Sequence, residues 1–239
     1  MVRILLAAGH GAGPAHNRGA IYFNEGDNNY IYSLELKKEL ETYENIKVDL
    51  LRKNITDDPT LADRAKAGQG YDLYLSIHSN ATTNDDVRGT EVWDSVEKPN
   101  VTLAKLICDA TAEVFNHRNR GVKYKEGQKG YNWYGELRFN QAKSAMIVEN
   151  GFHTNKEDCL FFKDSHKKIA EIQARAIASY YSLKKKAIKE DKPHWAEEHY
   201  NNLKSRINIT DKRFDDKITR GEAMALVDKA LDYIEKGGK

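Results

Sequence analysis

Three short apolar runs constrain the fold of this chain more than anything else in it: "VRILLAA" near the start, "LYLSI" at residues 73–77 and "AMIV" at residues 145–148. Each is of strand length and continuous rather than alternating, which suits a strand covered on both faces, as in a parallel sheet. Stretches of helical pattern lie between them. Tyr30, Leu34 and Leu40 recur at near-helical spacing within residues 25–43, and residues 101–116 read as another helix. "IKVDLLR" and the shorter "GTEVWD" add strands, and "DPTLADRAKAGQG" reads as a capped helix with Pro59 near its first turn. Residues 155–185 close as one or two helices. Strands alternating with helices from Val2 to about Lys185 predict an α/β domain: a largely parallel twisted sheet flanked by helices.

Beyond it the character changes. The charged stretch "KKKAIKEDKP" reads as a linker, and "HWAEEHYNNLKSR" and "TRGEAMALVDKALDYIEK" are short amphipathic helical patterns with no strand between them. Residues 1–185 are therefore expected to form one α/β domain, and residues 186–239 a linker and a small helical module.

The composition excludes several classes. No apolar run approaches the roughly 20 residues that span a bilayer. A net charge of +2, from 38 basic and 36 acidic side chains, gives no nucleic-acid footprint. Cys108 and Cys159 lack metal-type spacing and read as buried thiols rather than a disulfide. The start "MVRILLAAGHGAG" has an apolar run of about five residues, against the roughly 7–15 of a secretory leader, so synthesis in the cytoplasm without a signal peptide is expected.

The ends of the strands carry the chemistry. His10 follows the first, His78 ends "LYLSIH" and Glu149 ends "AMIVE". In an open parallel sheet such residues converge at the carboxyl edge, and Glu25, at the start of the first helix, lies on the same side. A carboxylate withdrawn from water costs several kcal/mol unless it is paired, ligated or neutralised, so Glu149 needs a partner. Two histidines and one carboxylate form the donor set of a catalytic zinc, and a second carboxylate, here Glu149, is suited to take a proton from attacking water. Each residue alone also has an ordinary reading: a hydrogen-bonded strand-end histidine, or an acid favouring a helix dipole.

Four segments, "LLAAGHGAG", "NEGDNNY", "DRAKAGQGYDLYLSIHSNA" and "SAMIVENGFHTNKED", occur in an order and spacing that resembles the zinc-dependent N-acetylmuramoyl-L-alanine amidases of bacterial and phage cell-wall lysis. The resemblance runs through about the first 185 residues. It implies His10, Glu25 and His78 as Zn2+ ligands and Glu149 as the catalytic glutamate. Arg64 matches an arginine on the helix before the "SIH" strand, and Asn155 belongs to the continuation after the glutamate. Asn80 would face substrate or shape its loop. His16 is an extra histidine, read as a bystander or substrate contact, and His153 a supporting neighbour. Asn150 stands where an apolar or small residue is common.

The implied reaction is hydrolysis of the amide between N-acetylmuramic acid and the L-alanine of the peptidoglycan stem, in a groove that Trp133 and Tyr134 could line. The C-terminal pieces resemble part of a single S-layer homology unit, implying a bound cell-wall polymer; a helical element for packing or for forming a homodimer is the alternative. The whole reads as an endolysin or autolysin acting on the wall after release at lysis. A zinc carboxypeptidase or endopeptidase acting on the stem peptide, and a non-catalytic wall-binding protein, are the competing readings.

Overall fold

The structure, a computed structural model, describes residues 1–16, 20–187, 201 and 219–237. It divides into two units, Met1–Lys186 and Ala187–Lys239.

The first unit is built on six strands, β1 (Val2–Ala8), β2 (Ile46–Leu50), β3 (Leu73–Asn80), β4 (Thr90–Asp94), β5 (Asn119–Lys123) and β6 (Ser144–Phe152), in the spatial order β2-β1-β3-β6-β4-β5. β2, β1, β3 and β6 are parallel. β4 pairs antiparallel with β6 and parallel with β5, so these two run against the other four. Its helices are α1 (Glu25–Leu40), α2 (Leu61–Lys66), α3 (Val101–Phe115), α4 (Lys156–Asp164) and α5 (His166–Tyr180).

Alternation along the strands divides the interior in two. Leu73, Leu75 and Ile77 of β3 face a large core with Tyr32, Leu36 and Leu40 of α1, Leu103 and Ile107 of α3, and Ile169 and Ile177 of α5. Burying a Leu or Ile side chain contributes roughly 1.5–3 kcal/mol, so this layer carries most of the packing energy. The opposite face, with Leu5, Ala7, Tyr74, Ala145 and Ile147, is covered by Leu137 and Ala142 from the loop before β6. The functional residues lie at the carboxyl end of this second face.

The structure departs from the sequence expectations at two points, the register of α1 and the edge strand β5. The buried stripe of α1 is Tyr32, Leu36 and Leu40, spaced by four; Leu34 is 41 % exposed, so the expected Tyr30/Leu34 register is displaced by half a turn. Pro59 stands just ahead of the first turn of α2, near where it was expected, and Thr60 is the N-cap, exchanging hydrogen bonds with Asp63 in a capping box. β5 was not expected at all, because "NRGVK" is a polar, half-exposed edge strand without an apolar run. The closing segment is two helices, α4 and α5, separated at Ser165.

In the second unit the described helix is α6 (Arg220–Glu235), started by a capping box between Thr219 and Glu222. Met224, Val227 and Leu231 on it are exposed. The helical pattern at residues 194–206 lies, apart from Asn201, outside the described residues. Among the described residues no helix is long and apolar enough to cross a membrane.

Candidate active site

The edge of the sheet is assembled by register. β3 and β6 align His78 with Glu149, and β6 and β4 align Glu149 with Glu91, so three side chains stand in a row across three strands. β1 ends beside them, its ladder continued by the bond from the Gly9 amide to the Ile77 carbonyl at 2.8 Å. A side chain at Gly9 would collide with the His78 ring, its Cβ falling 2.3 Å from Cε1, so only glycine admits the imidazole there.

His10 adopts a left-handed backbone conformation, φ 59°, which costs a non-glycine residue roughly 1–2 kcal/mol. Arg64 holds it there. Buried on α2, its guanidinium donates to the Ala8 carbonyl at 2.8 Å and to the His10 carbonyl at 2.6 Å. The His10 ring reaches Glu25 with Nε2 3.1 Å from Oε2.

Glu25 is the first residue of α1, whose N-cap Asn24 accepts from the Asp27 amide. Its carboxylate is 1 % exposed. Oε1 accepts from the Ser79 amide at 3.1 Å and lies 3.5 Å from His78 Nδ1. Oε2 lies 3.7 Å from His153 Nδ1, which also meets the Ser79 hydroxyl at 2.9 Å. Burial alone would raise the Glu25 pKa, but the hydrogen bonds of His10 and His78 and their charges hold it well below the usual carboxylate range. His10, Glu25 and His78 each offer a donor atom, all within 4.8 Å of one another.

Glu149 is the group left over. It is buried, and its Oε2 has no hydrogen-bond partner among the described residues. Burial, aided by the charges of Glu25, Glu91 and Glu136 and opposed by His78, pushes its pKa up to about 8. An orphaned carboxylate oxygen beside a His–Glu–His set fits a divalent cation. The donors are those of a borderline-soft metal, and its charge would offset the cost of burying the acid.

The other expected residues are placed as follows. Asn80 donates to Glu91 Oε1 at 2.8 Å while its own Oδ1 accepts from the Ala81 amide, so its amide group shapes the edge of the site from within. Asn155 is the N-cap of α4, accepting from the Glu157 and Asp158 amides, and donates to the Asp85 carbonyl at 2.7 Å. Asn150 turns away from the site and its Oδ1 accepts from Gln173 at 2.7 Å, which explains a polar residue inside an apolar strand. Trp133 is exposed and Tyr134 packs on Trp93 at 5.1 Å between ring centroids. The side chain of His16 lies outside the described residues. Both cysteines are free and buried.

Sequence reasoning missed two acids. Glu91 is buried and takes bonds from Asn80, from Trp93 Nε1 at 3.1 Å and from Arg120 Nε at 2.8 Å. Glu136, in the loop before β6, meets His78 Nε2 at 3.1 Å with Oε1, and its Oε2 accepts from Ser76 at 2.6 Å and Tyr74 at 3.1 Å. The available signal was in β3 itself, where Tyr74, Ser76 and His78 put three polar groups on one face of a buried strand. A cleft lined by His10, Asp58, Pro59, Leu61, Arg64, His78 and Glu136 opens onto this point.

The fold is of the α/β class, with the candidate site at the carboxyl edge of its sheet. The family model described as N-acetylmuramoyl-L-alanine amidase matches residues 4–179, and the chain belongs to that family, whose members hydrolyse an amide of peptidoglycan. Among solved structures it is similar to the catalytic domain of the amidase CwlV from Bacillus (Paenibacillus) polymyxa var. colistinus, with 21 % identity, a TM-score of 0.64, and 77 % of this chain and 100 % of that one covered. It is also similar to the amidase CwlD from Clostridioides difficile, solved in complex with the GerS lipoprotein, at 23 % identity and TM-score 0.64 over 76 % of this chain and 99 % of that one. A third is the catalytic domain of an endolysin targeting Clostridia difficile, at 25 % identity and TM-score 0.58 over 75 % of this chain and 98 % of that one. No curated protein sequence matches the chain.

Proposed function

We propose that the chain is a zinc-dependent amidase of the endolysin or autolysin kind, in which His10, Glu25 and His78 hold the metal and Glu149 is the general base. The observation that carries this reading is the convergence of the three donors beside a buried glutamate with an unpartnered oxygen. Bound zinc would polarise the scissile carbonyl and activate water. Glu149 takes the proton of the attacking water and passes it to the leaving nitrogen of L-alanine. Glu91, fixed by Arg120, Trp93 and Asn80, holds the neighbouring strand position and adds to the negative field that keeps Glu149 basic. Trp133, exposed beside the cleft of residues 127–139, offers an aromatic face to the glycan. Residues 1–185 carry the catalysis, and residues 186–239 attach to a cell-wall polymer; the enzyme acts on the wall after release at lysis.

The test is metal analysis with product analysis on purified peptidoglycan, comparing the parent with Glu149→Gln. The parent should hold one zinc and release L-alanine amino termini without new reducing ends. The variant should keep the metal and lose at least about 1,000-fold in rate, since the base and its field are both removed. Normal turnover by Glu149→Gln would refute its role, and release of a C-terminal amino acid instead would favour a carboxypeptidase.

A further inference from the structure

Tyr74, Ser76 and His78 are successive residues on one face of β3, and all three reach a single carboxylate, that of Glu136. The division of labour between its oxygens is sharp. Oε2 receives both hydroxyls, and Oε1 is left for the imidazole, at 3.1 Å from Nε2. The other ring nitrogen, Nδ1, faces Glu25 at 3.5 Å. The ring is also confined from other directions: the backbone at Gly9 leaves no room for even a methyl group beside it, and the His10 ring stands edge-on with centroids 4.8 Å apart. Tyr74 and Ser76 are wholly buried and Glu136 nearly so, so this arrangement is held in a dry environment, where a misplaced proton or rotamer is costly.

We propose that Glu136 is a positioning residue that keeps the proton of His78 on Nε2 and thereby makes Nδ1 the nitrogen presented to the metal. A neutral imidazole has one donor and one acceptor nitrogen, and the hydrogen bond made by one determines the role of the other. A carboxylate anchored on its far oxygen by two hydroxyls is an acceptor only. It therefore admits the Nε2–H tautomer and rejects the reverse, and it raises the basicity of Nδ1 as a ligand. Ser76 and Tyr74 act through Glu136 by fixing its orientation. The proposal rests on the reading of His10, Glu25 and His78 as the metal site.

The experiment measures zinc affinity by competition with a chromophoric chelator, on the full chain, for the parent, Glu136→Gln, Glu136→Ala and Ser76→Ala, with His78→Ala as the reference for loss of a ligand. Denaturant midpoints are recorded for each. Removing an outer hydrogen-bond partner of a metal-binding histidine lowers affinity about 10–100-fold, and that loss is expected in Glu136→Ala. Glu136→Gln keeps shape and an acceptor oxygen and should lose less, and Ser76→Ala, which leaves the His78 contact intact, less again. This graded order, with the Gln and Ser76 variants folded as well as the parent, is what a merely structural role would not produce. Should Glu136→Ala fail to fold, the other two carry the comparison.

Parental affinity in Glu136→Gln and Ser76→Ala overturns the proposal while leaving the metal site standing, as does a loss as deep as that of His78→Ala, which would make Glu136 itself a ligand. Loss of hydrolysis with unchanged affinity also overturns it, placing Glu136 on the substrate. A parent chain that takes up no zinc overturns the metal reading, and this proposal with it.

Discussion

Substitution of Asp158 separates the scaffold of the site from its chemistry. The residue sits in the first turn of α4, wholly buried, and its two oxygens bind four donors from three parts of the chain. Oδ2 accepts from the Gly89 and Phe152 amides, both at 3.1 Å; Oδ1 accepts from Arg88 Nε at 3.0 Å and meets His117 Nδ1 at 2.9 Å. The bonds therefore tie the start of β4 to the end of β6, three residues past Glu149. In Asp158→Asn the amide oxygen can keep the two backbone donors, its NH2 faces His117, which can accept after exchanging tautomer, and Arg88 Nε loses its acceptor while Arg88 Nη1 keeps Glu157 at 2.5 Å. Exchanging charge-assisted bonds for neutral ones while the Arg88 bond is broken should cost about 3 kcal/mol. Asp158→Ala strands two buried amides and should cost about 4–5 kcal/mol, a large part of a typical domain's stability.

Urea denaturation of the full chain checks both values. The pH dependence supplies an independent sign. Burial would raise the Asp158 pKa, but His117 and the two amides hold it below the ordinary value of 3.8. Its contribution is therefore fully present above about pH 4–5 and is lost as pH falls through the lower folded value. Asp158→Asn should flatten that part of the acid limb. An Ala variant within about 1 kcal/mol of the parent, or an unchanged acid limb in the Asn variant, would refute the reasoning.

Other consequences are more local. Gly9→Ala drives a methyl group into the His78 ring, so zinc affinity should fall by at least about 10-fold although no donor atom is removed, as read by chelator competition. Arg64→Lys cannot span the Ala8 and His10 carbonyls; the left-handed turn at His10 should loosen, costing about 1–3 kcal/mol in a denaturant titration and weakening metal uptake in parallel. Trp133→Ala should leave the denaturant midpoint nearly unchanged, within about 0.5 kcal/mol, because the ring is 53 % exposed. If the ring carries glycan, the KM on intact peptidoglycan should rise about 3- to 10-fold, with kcat preserved.

What the sequence made legible was local. Continuous apolar runs marked β1, β3 and β6, and the polar residue ending each of them marked the edge where His10, His78 and Glu149 gather. Strand direction was not legible, because a short run such as "TEVWD" packs equally well either way; the antiparallel β4 is set by its pairing with β6. The stripe of α1 was misjudged because Tyr30 and Leu34 are apolar but half-buried or exposed, while the buried face includes two polar residues, Asn29, whose amide donates to Glu25, and Ser33, which donates to the helix backbone. Glu136 and Asp158 escaped for a different reason. Their partners are 58 residues away at His78 and 41 away at His117, and no periodicity links them.

The charges at the edge of the sheet set Glu149 apart from the three other buried acids there and are what favour it as the base in the proposed reaction. Glu91 is matched by the Arg120 guanidinium and two neutral donors, Glu136 by His78 and two hydroxyls, and Glu25 by His10, His78 and the Ser79 amide. Each of these is tied down by fixed partners, and for Glu25 and Glu136 the neighbouring histidines hold the carboxyl below its usual range. Glu149 lies in the same row, between His78 on one strand and Glu91 on the next, with an oxygen that no described group satisfies. Its proton affinity is therefore set first by burial and then by the net field of its neighbours rather than by one tight bond, and a cation held by His10, Glu25 and His78 would change that field. The β-ladder register that brings His78 beside Glu149 thus does two things at once: it concentrates the cost of buried charge on one residue, and it sets that residue next to the donors that would hold the metal.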